Sequence, residues 1–526
     1  MTRSGRLLLG ALALTASSLL VLDFGGSTLS EGGAVAMLQG LGQPDLSLGA
    51  LTRVTELAVH TLAVAVFGTG LGAAAGLVLA VLGSTAAAAP RRSRVRRALA
   101  ESVRLGLDGL RALPDFVWAL GLLLVLGPGP ITGALAIALS VTGILGRAFG
   151  QLLESVPARA VASQEGLGGP PVAAIVYGRL PRVASAAWSY GLARLECSVR
   201  NASVIGIVGG GGLGAELFEE LGYGRMDRVA TLLLGLVVLT ATADTASAAL
   251  RRRISSARAA QRRVALRLAL GAWLAAVVWL GGDLLALGET LQRVDSRLAL
   301  ETLRRLGAPD LSWQVMRELF WGAGAPLALA WLATAIAAAV AVALLPWTST
   351  VARWRTRGPR ARPNVWAVGR ALALRTLALL ARAVPEVAWL LLFAAALGMG
   401  PLPALLALTL HATGVLIRLF TEAVDDRFAA RPRDGVGPGA TTGWLVYAAL
   451  PRLRGHMVTH AALQAESNLR TAFTLGILGA GGLGEAFHGA ISYWQLERAS
   501  TLALGMLVLF VGLDRAGRAL SRNAPR

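Results

Sequence analysis

The chain has 526 residues, is 55% hydrophobic and only 15% charged, and carries a formal net charge of +20. Globular chains are about 25% charged, so this composition excludes a string of soluble domains and points to a membrane protein. Every one of the 50 Lys and Arg residues is Arg, which excludes a nucleotide-cradling loop with its Lys and a Schiff-base Lys. The one cysteine, Cys197, excludes internal disulfides and cysteine metal cages.

A membrane span needs about 20 mostly apolar residues. In chain order the first candidate is 7–22, read as a retained span because no small-x-small cleavage site follows it. Next come 57–82, then 105–126 with Pro114 inside it. The turn Gly127-Pro128-Gly129-Pro130 separates that span from 131–149, and 183–208 and 229–250 follow. The second set is 264–287, 319–347, 371–397, 402–419, 457–478 and 499–513, so the expectation is about twelve spans. Arg clusters at 91–97, 251–263 and 353–362 fall on one side of this topology together with both termini. That side is cytoplasmic, because short cytoplasmic loops collect Arg. The same rule accounts for the basic charge without nucleic acid, with anionic membrane lipid as a secondary contact.

The two halves repeat each other. Gly42-Gln43-Pro44-Asp45-Leu46-Ser47 returns as Gly307-Ala308-Pro309-Asp310-Leu311-Ser312. Trp118, Thr142-Gly143 and Arg147 return as Trp389, Thr413-Gly414 and Arg418. Glu196 and Arg200 return as Glu466 and Arg470, and Gly211-Gly212-Leu213-Gly214 as Gly481-Gly482-Leu483-Gly484. The offset is 307 − 42 = 265 early and 484 − 214 = 270 late. The expected fold is an all-α integral membrane protein of two parallel repeats, about six transmembrane helices each. The first repeat is 1–250 (core about 56–250), the basic linker is 251–263, and the second repeat is 264–526 (core about 319–520).

The order of motifs within each repeat is distinctive. A long cytoplasmic loop ends in Leu180-Pro181 or Leu450-Pro451, a span with Glu and Arg follows, and a glycine turn closes it. Together with the stretch 192–206 and the segment 112–147, this resembles the permease subunit of type I ABC importers, phosphonate-type family, with two units fused in one chain. The resemblance implies the type I permease fold, no catalysis and no cofactor in this chain. Its implied partners are two cytoplasmic ATP-binding subunits and an extracytoplasmic solute-binding protein. The implied cargo is a phosphonate, phosphite or related small phosphorus oxyanion. Another small solute such as an amino acid, a self-sufficient secondary transporter and a non-transporting scaffold are the alternatives.

The resemblance assigns the ATPase coupling loops to 162–181 and 432–451, with Gly168, Leu180, Pro181, Gly437, Leu450 and Pro451 as their marks. Ala162 and Pro432 stand where the family has Glu, and Pro438 where it has Gly. The glycine turns at Gly211, Gly212, Gly214 and Gly481, Gly482, Gly484 fall on the outer side. There they read either as close backbone contacts or as a gate. Glu196 with Arg200 and Glu466 with Arg470 lie four residues apart, on one face of a helix, so each Glu is expected to reach its Arg. Either they pin the spans structurally, or the two Arg converge to pass an oxyanion, aided by Asn201 and Ser203.

Overall fold

The computed structural model describes residues 13–22, 35, 39–88, 94–157, 159, 171–254, 259–293, 296–349, 365–428 and 441–522. Among these residues there are helices and no strands. Two compact units form, Leu38–Pro309 and Met1–Met37 with Asp310–Arg526. Each unit holds one repeat core. The boundaries differ from a division at 250, because the stretch before residue 38 goes with the second core and the stretch 251–309 with the first.

In the unit Leu38–Pro309 the helices are α1 (Leu48–Ala88), α2 (Arg94–Ala112), α3 (Asp115–Leu126), α4 (Pro130–Ser155), α5 (Leu180–Ile205), α6 (Leu213–Gly222), α7 (Met226–Ile254), α8 (Ala259–Trp279), α9 (Gly281–Arg293) and α10 (Ser296–Leu306). The other unit holds a helical segment at 13–21 and then α11 (Trp313–Gly322), α12 (Gly324–Thr348), α13 (Val365–Ala383), α14 (Glu386–Leu397), α15 (Pro401–Phe428), α16 (Leu450–Leu475), α17 (Leu483–Ser492) and α18 (Leu496–Arg522). The repeat holds to the residue: 450 − 180, 483 − 213 and 496 − 226 all equal 270.

Small residues let α1 and α4 touch. A methyl on Gly68 or Gly72 of α1 would sit 2.5 Å from the Ala134 carbonyl or 2.6 Å from that of Ala138. The matching positions on α12 are Ala333 and Ala337, both buried. Small residues four apart let helix backbones approach where no hydrophobic effect drives association. Helix α8 lies against α1, its Trp273 stacked on Phe67 and fitted over Gly70.

The expected span 105–126 is not straight. Pro114 breaks it into α2 and α3 at 94°, and Pro385 breaks α13 from α14 at 92°. Proline has no N–H for the carbonyl four residues back. In both repeats a tryptophan indole takes that carbonyl instead: Trp118 Nε1 donates to Leu110 at 3.2 Å, and Trp389 Nε1 to Ala381 at 3.0 Å. The repeated Gly143 and Gly414 sit against the helix before each break, where a methyl would meet Arg111 N at 2.4 Å or the Ala378 carbonyl at 2.5 Å.

Among the described residues six helices are long and apolar enough to cross a membrane, or up to nine if each of three bent pairs is one span. That is fewer than twelve. Helices α5 and α16 carry Arg194, Glu196, Arg200 and Glu466, Arg470 along their length and fail on polarity, and the segment 7–22 is described only from residue 13.

The repeated Pro-Asp-Leu-Ser motif starts the first long helix of each core and ties it to the last. Ser47 N donates to Asp45 Oδ1 at 3.0 Å, and Thr231 Oγ1 on α7 donates to the Asp45 carbonyl at 2.9 Å. Ser312, Asp310 and Thr501 repeat these bonds at 2.9 and 2.8 Å. The Ser47 backbone N–H holds the Asp45 carboxyl below the usual carboxylate range.

Candidate functional site

Helix α5 carries its polar residues on two faces. Residues 194 and 201 lie seven apart, two turns on the same side; residues 196 and 200 form a second pair. On the first face, Arg194 donates to Asp115 Oδ2 at 3.3 Å, and Asn201 Nδ2 donates to the same oxygen. Asp115 is the first residue of α3, so the bend at Pro114 brings it there. Its charge also faces the positive end of that helix. Asn201 is therefore committed inside the fold. Ser203 is buried and bonds back to its own helix at the Val199 carbonyl, 3.5 Å away.

The second face departs from the expected pairing. Glu196 accepts a hydrogen bond not from Arg200 but from Arg251 of α7. Arg251 also donates to Ser247 Oγ at 2.9 Å, and Ser247 Oγ donates to the Leu192 carbonyl at 3.0 Å. These bonds zip α7 onto α5. They also place Glu196 level with the basic cluster Arg251–Arg253, not amid purely apolar neighbours. Arg200 makes no hydrogen bond or ion pair among the described residues, and its Nε is buried without an acceptor.

In the second repeat the expected pair does form. Arg470 donates to Glu466 Oε1 at 2.5 Å, and its guanidinium lies 5.8 Å from the centre of the Phe510 ring. Glu386, the first residue of α14, matches Asp115, but its partner is His411 Nε2 at 3.1 Å. A buried chain from Gln464 to Asn468 (2.8 Å) and on to Thr334 (2.9 Å) joins α16 to α12. In the first repeat the hydroxyls of Ser198 and Thr69, at the positions of Asn468 and Thr334, have no partner.

The glycine turns are close contacts. Gly211 and Gly212 have φ of 73° and 75°, Gly481 and Gly482 of 91° and 76°. A left-handed pair of this kind is strained for any residue with a Cβ. A methyl on Gly214 would stand 1.6 Å from the Ser203 carbonyl, and one on Gly484 2.1 Å from that of Phe473. The turn is also held by a bond from Leu213 N to Thr61 Oγ1 of α1 at 3.0 Å.

Leu180-Pro181 and Leu450-Pro451 do not end loops. They lie at the start of α5 and α16, continuous with π-helical stretches at Ala174–Arg179 and Leu445–Ala449. Proline has no N–H for the helix ladder and its ring crowds the carbonyl four residues back, and the wider π-helical turn lies immediately before each of these prolines. Gly168 and Gly437 lie outside the described residues. Each π-helical stretch presents one exposed aromatic, Tyr177 (75% exposed) and Tyr447 (85%), two features that span and loop patterns do not reveal.

Near the glycine-turn end of the first unit, a pocket of about 290 Å³ is lined by Asp45, Arg53, Glu216, Glu220 and Arg228. Arg53 pairs with Glu216 at 3.0 Å, and Glu220 with Arg225 at 2.5 Å and Arg228 at 3.3 Å. Its charges are internally matched, and neither Glu196 nor Arg200 lines it. The second repeat has Ala486 and Ala490 at the Glu216 and Glu220 positions, and there Glu318 pairs with Arg498.

Residues 79–256 match the family described as binding-protein-dependent transport system inner membrane component. The chain is 28% identical over 508 residues to a phosphate-import permease protein of Mycolicibacterium smegmatis, covering 94% of this chain and 90% of that one. It is 28% identical over 219 residues to a phosphite transport system permease protein of Stutzerimonas stutzeri, covering 42% of this chain and 77% of the relative. A protein of Escherichia coli K12, whose name refers to a cryptic phosphonate transport system permease, is 31% identical over 118 residues. That match covers 22% of this chain and 97% of the relative.

Proposed function

The chain belongs to the inner-membrane permease family of binding-protein-dependent ABC importers, with two permease units in one multi-pass polypeptide, and we propose that it carries a small phosphorus oxyanion into the cytoplasm. As a permease it is a translocation component and not an enzyme; ATP hydrolysis and solute capture belong to separate partners. The observation that carries the substrate reading is Arg200. A guanidinium with no internal acid is a fork of donors matched to an oxyanion, and it holds that charge at any physiological pH. The names of the relatives, which refer to phosphate, phosphite and phosphonate, point to the same chemistry.

Uptake tests this reading. Cells that depend on this chain are expected to accumulate radiolabelled phosphate or phosphite, and unlabelled methylphosphonate is expected to compete. Competition by an amino acid, with none by the phosphorus oxyanions, would overturn it.

The coupling segments are proposed to dock the ATPases through Tyr177 and Tyr447, with both termini on the same cytoplasmic side. One chain supplies both permease units, so it is expected to bind two ATPase copies. Native mass measurement of the purified complex should give that one-to-two ratio. Tyr177→Ala with Tyr447→Ala should lower ATPase occupancy in the same spectra, since exposed aromatics are the residues most often decisive at protein interfaces. A complex holding two copies of this chain, or unchanged occupancy in the double variant, would count against the assignment.

A further inference from the structure

We propose that Arg251 is a positioning residue for transport: by holding Glu196 it keeps the Arg200 guanidinium free for the substrate anion. The proposal rests on Arg200 as the anion contact and adds what makes that contact available.

A Glu four residues before an Arg on a helix pairs with it when nothing better is offered. The second repeat shows this outcome, with Arg470 bonded to Glu466 at 2.5 Å. In the first repeat the same spacing leaves Arg200 without a partner among the described residues, because Glu196 is engaged by Arg251. Ser247 Oγ, 2.9 Å from the same guanidinium nitrogen, fixes Arg251 in place.

The difference traces to one position. The offset 466 − 196 = 270 carries Arg251 onto Ser521, which has no guanidinium to offer Glu466. Where the last helix supplies an Arg, the Arg on α5 is free. Where it supplies a Ser, the Arg on α16 is neutralised by its own neighbour. An ionised carboxylate and an oxyanion compete for the same donors of one guanidinium. Arg200 therefore carries the anion-binding role, and Arg470 is its neutralised counterpart. Arg251 acts only through Glu196, so removing both should cancel.

The test uses the full chain with its ATPase and binding-protein partners, reading uptake of radiolabelled phosphate and phosphite per copy of chain in the membrane. Arg251→Ser, which copies the second repeat, frees Glu196 to take Arg200. It is expected to lower uptake about tenfold or more, the worth of one charge-assisted hydrogen bond. Glu196→Gln combined with Arg251→Ser removes the competing carboxylate and should restore uptake to near the parent level. Glu196→Gln alone should leave uptake unchanged. If Arg251→Ser transports like the parent, or if the double variant stays as inactive as Arg251→Ser, Arg251 is a structural tie only and the proposal is overturned. Arg200→Gln is measured alongside. Normal uptake in that variant would remove the anion contact itself, a failure separable from failure of the Arg251 arms.

Discussion

Arg200→Gln is expected to abolish uptake while leaving the chain inserted, folded and able to co-purify with its ATPase. Losing a bidentate guanidinium removes two charge-assisted hydrogen bonds to the oxyanion, worth about 1.5–3 kcal/mol each, or a factor of roughly a hundred or more in affinity. Stability should hardly change, because Arg200 satisfies no other group among the described residues. Its glutamine replacement leaves no carboxylate orphaned, since Glu196 remains bonded to Arg251. Arg470→Gln should behave in the opposite way. It strands Glu466, whose side chain is 25% exposed and bonded to Arg470, so it is expected to lower thermal stability. It should retain more uptake than Arg200→Gln. Uptake and thermal unfolding in detergent, measured on both variants, separate the two roles. Failure of Arg200→Gln to insert would make it a structural residue, and equal loss of uptake in both would make the repeats equivalent.

The second large effect is on folding. Gly214→Ala is expected to prevent stable assembly, because its methyl would stand 1.6 Å from the Ser203 carbonyl oxygen, a backbone atom that cannot swing aside. Gly484→Ala meets the Phe473 carbonyl at 2.1 Å and should fail in the same way. Costs above about 4 kcal/mol are the mark of such backbone collisions. Gly222→Ala at the end of α6 is the control, since nothing lies within 4 Å of its added methyl. Membrane levels and melting of the three variants check this. A Gly214→Ala chain that melts like the parent would show that the turn is loose, and would return the glycine motif to a gating role.

Much of the architecture is legible from residue patterns. Both repeats, their late offset and the glycine turn are periodic features, and periodicity survives without knowledge of the fold. Residue type alone leaves Gly214 as either a close backbone contact or part of a gate; the approach of the Ser203 carbonyl to it comes from the fold. Even the repeated Trp118 and Trp389 can be seen, although their task as donors to the carbonyls that Pro114 and Pro385 leave open emerges only with the bends.

Other features depend on which helices meet. Apolar residues dominate on both sides of Pro114, so residues 105–126 read as one span; the 94° bend divides them and delivers Asp115 to Arg194 and Asn201. Nothing local to Asn201 reveals that partner, which lies 86 residues earlier. Leu180-Pro181 has the look of a loop end, yet helix runs through it from the π-helical stretch Ala174–Arg179 into α5.

By itself the sequence determined the class of the protein, its internal duplication and the positions where only small residues fit, since these follow from composition, offset and side-chain volume. The tertiary structure alone decided which charges pair. An i,i+4 Glu–Arg contact is worth only about 0.2–0.5 kcal/mol in an isolated helix, so any well-placed third group can displace it. Arg251 reaches Glu196 across 55 residues of chain because α7 packs on α5. In the second repeat Ser521 stands at that position and the local pair survives.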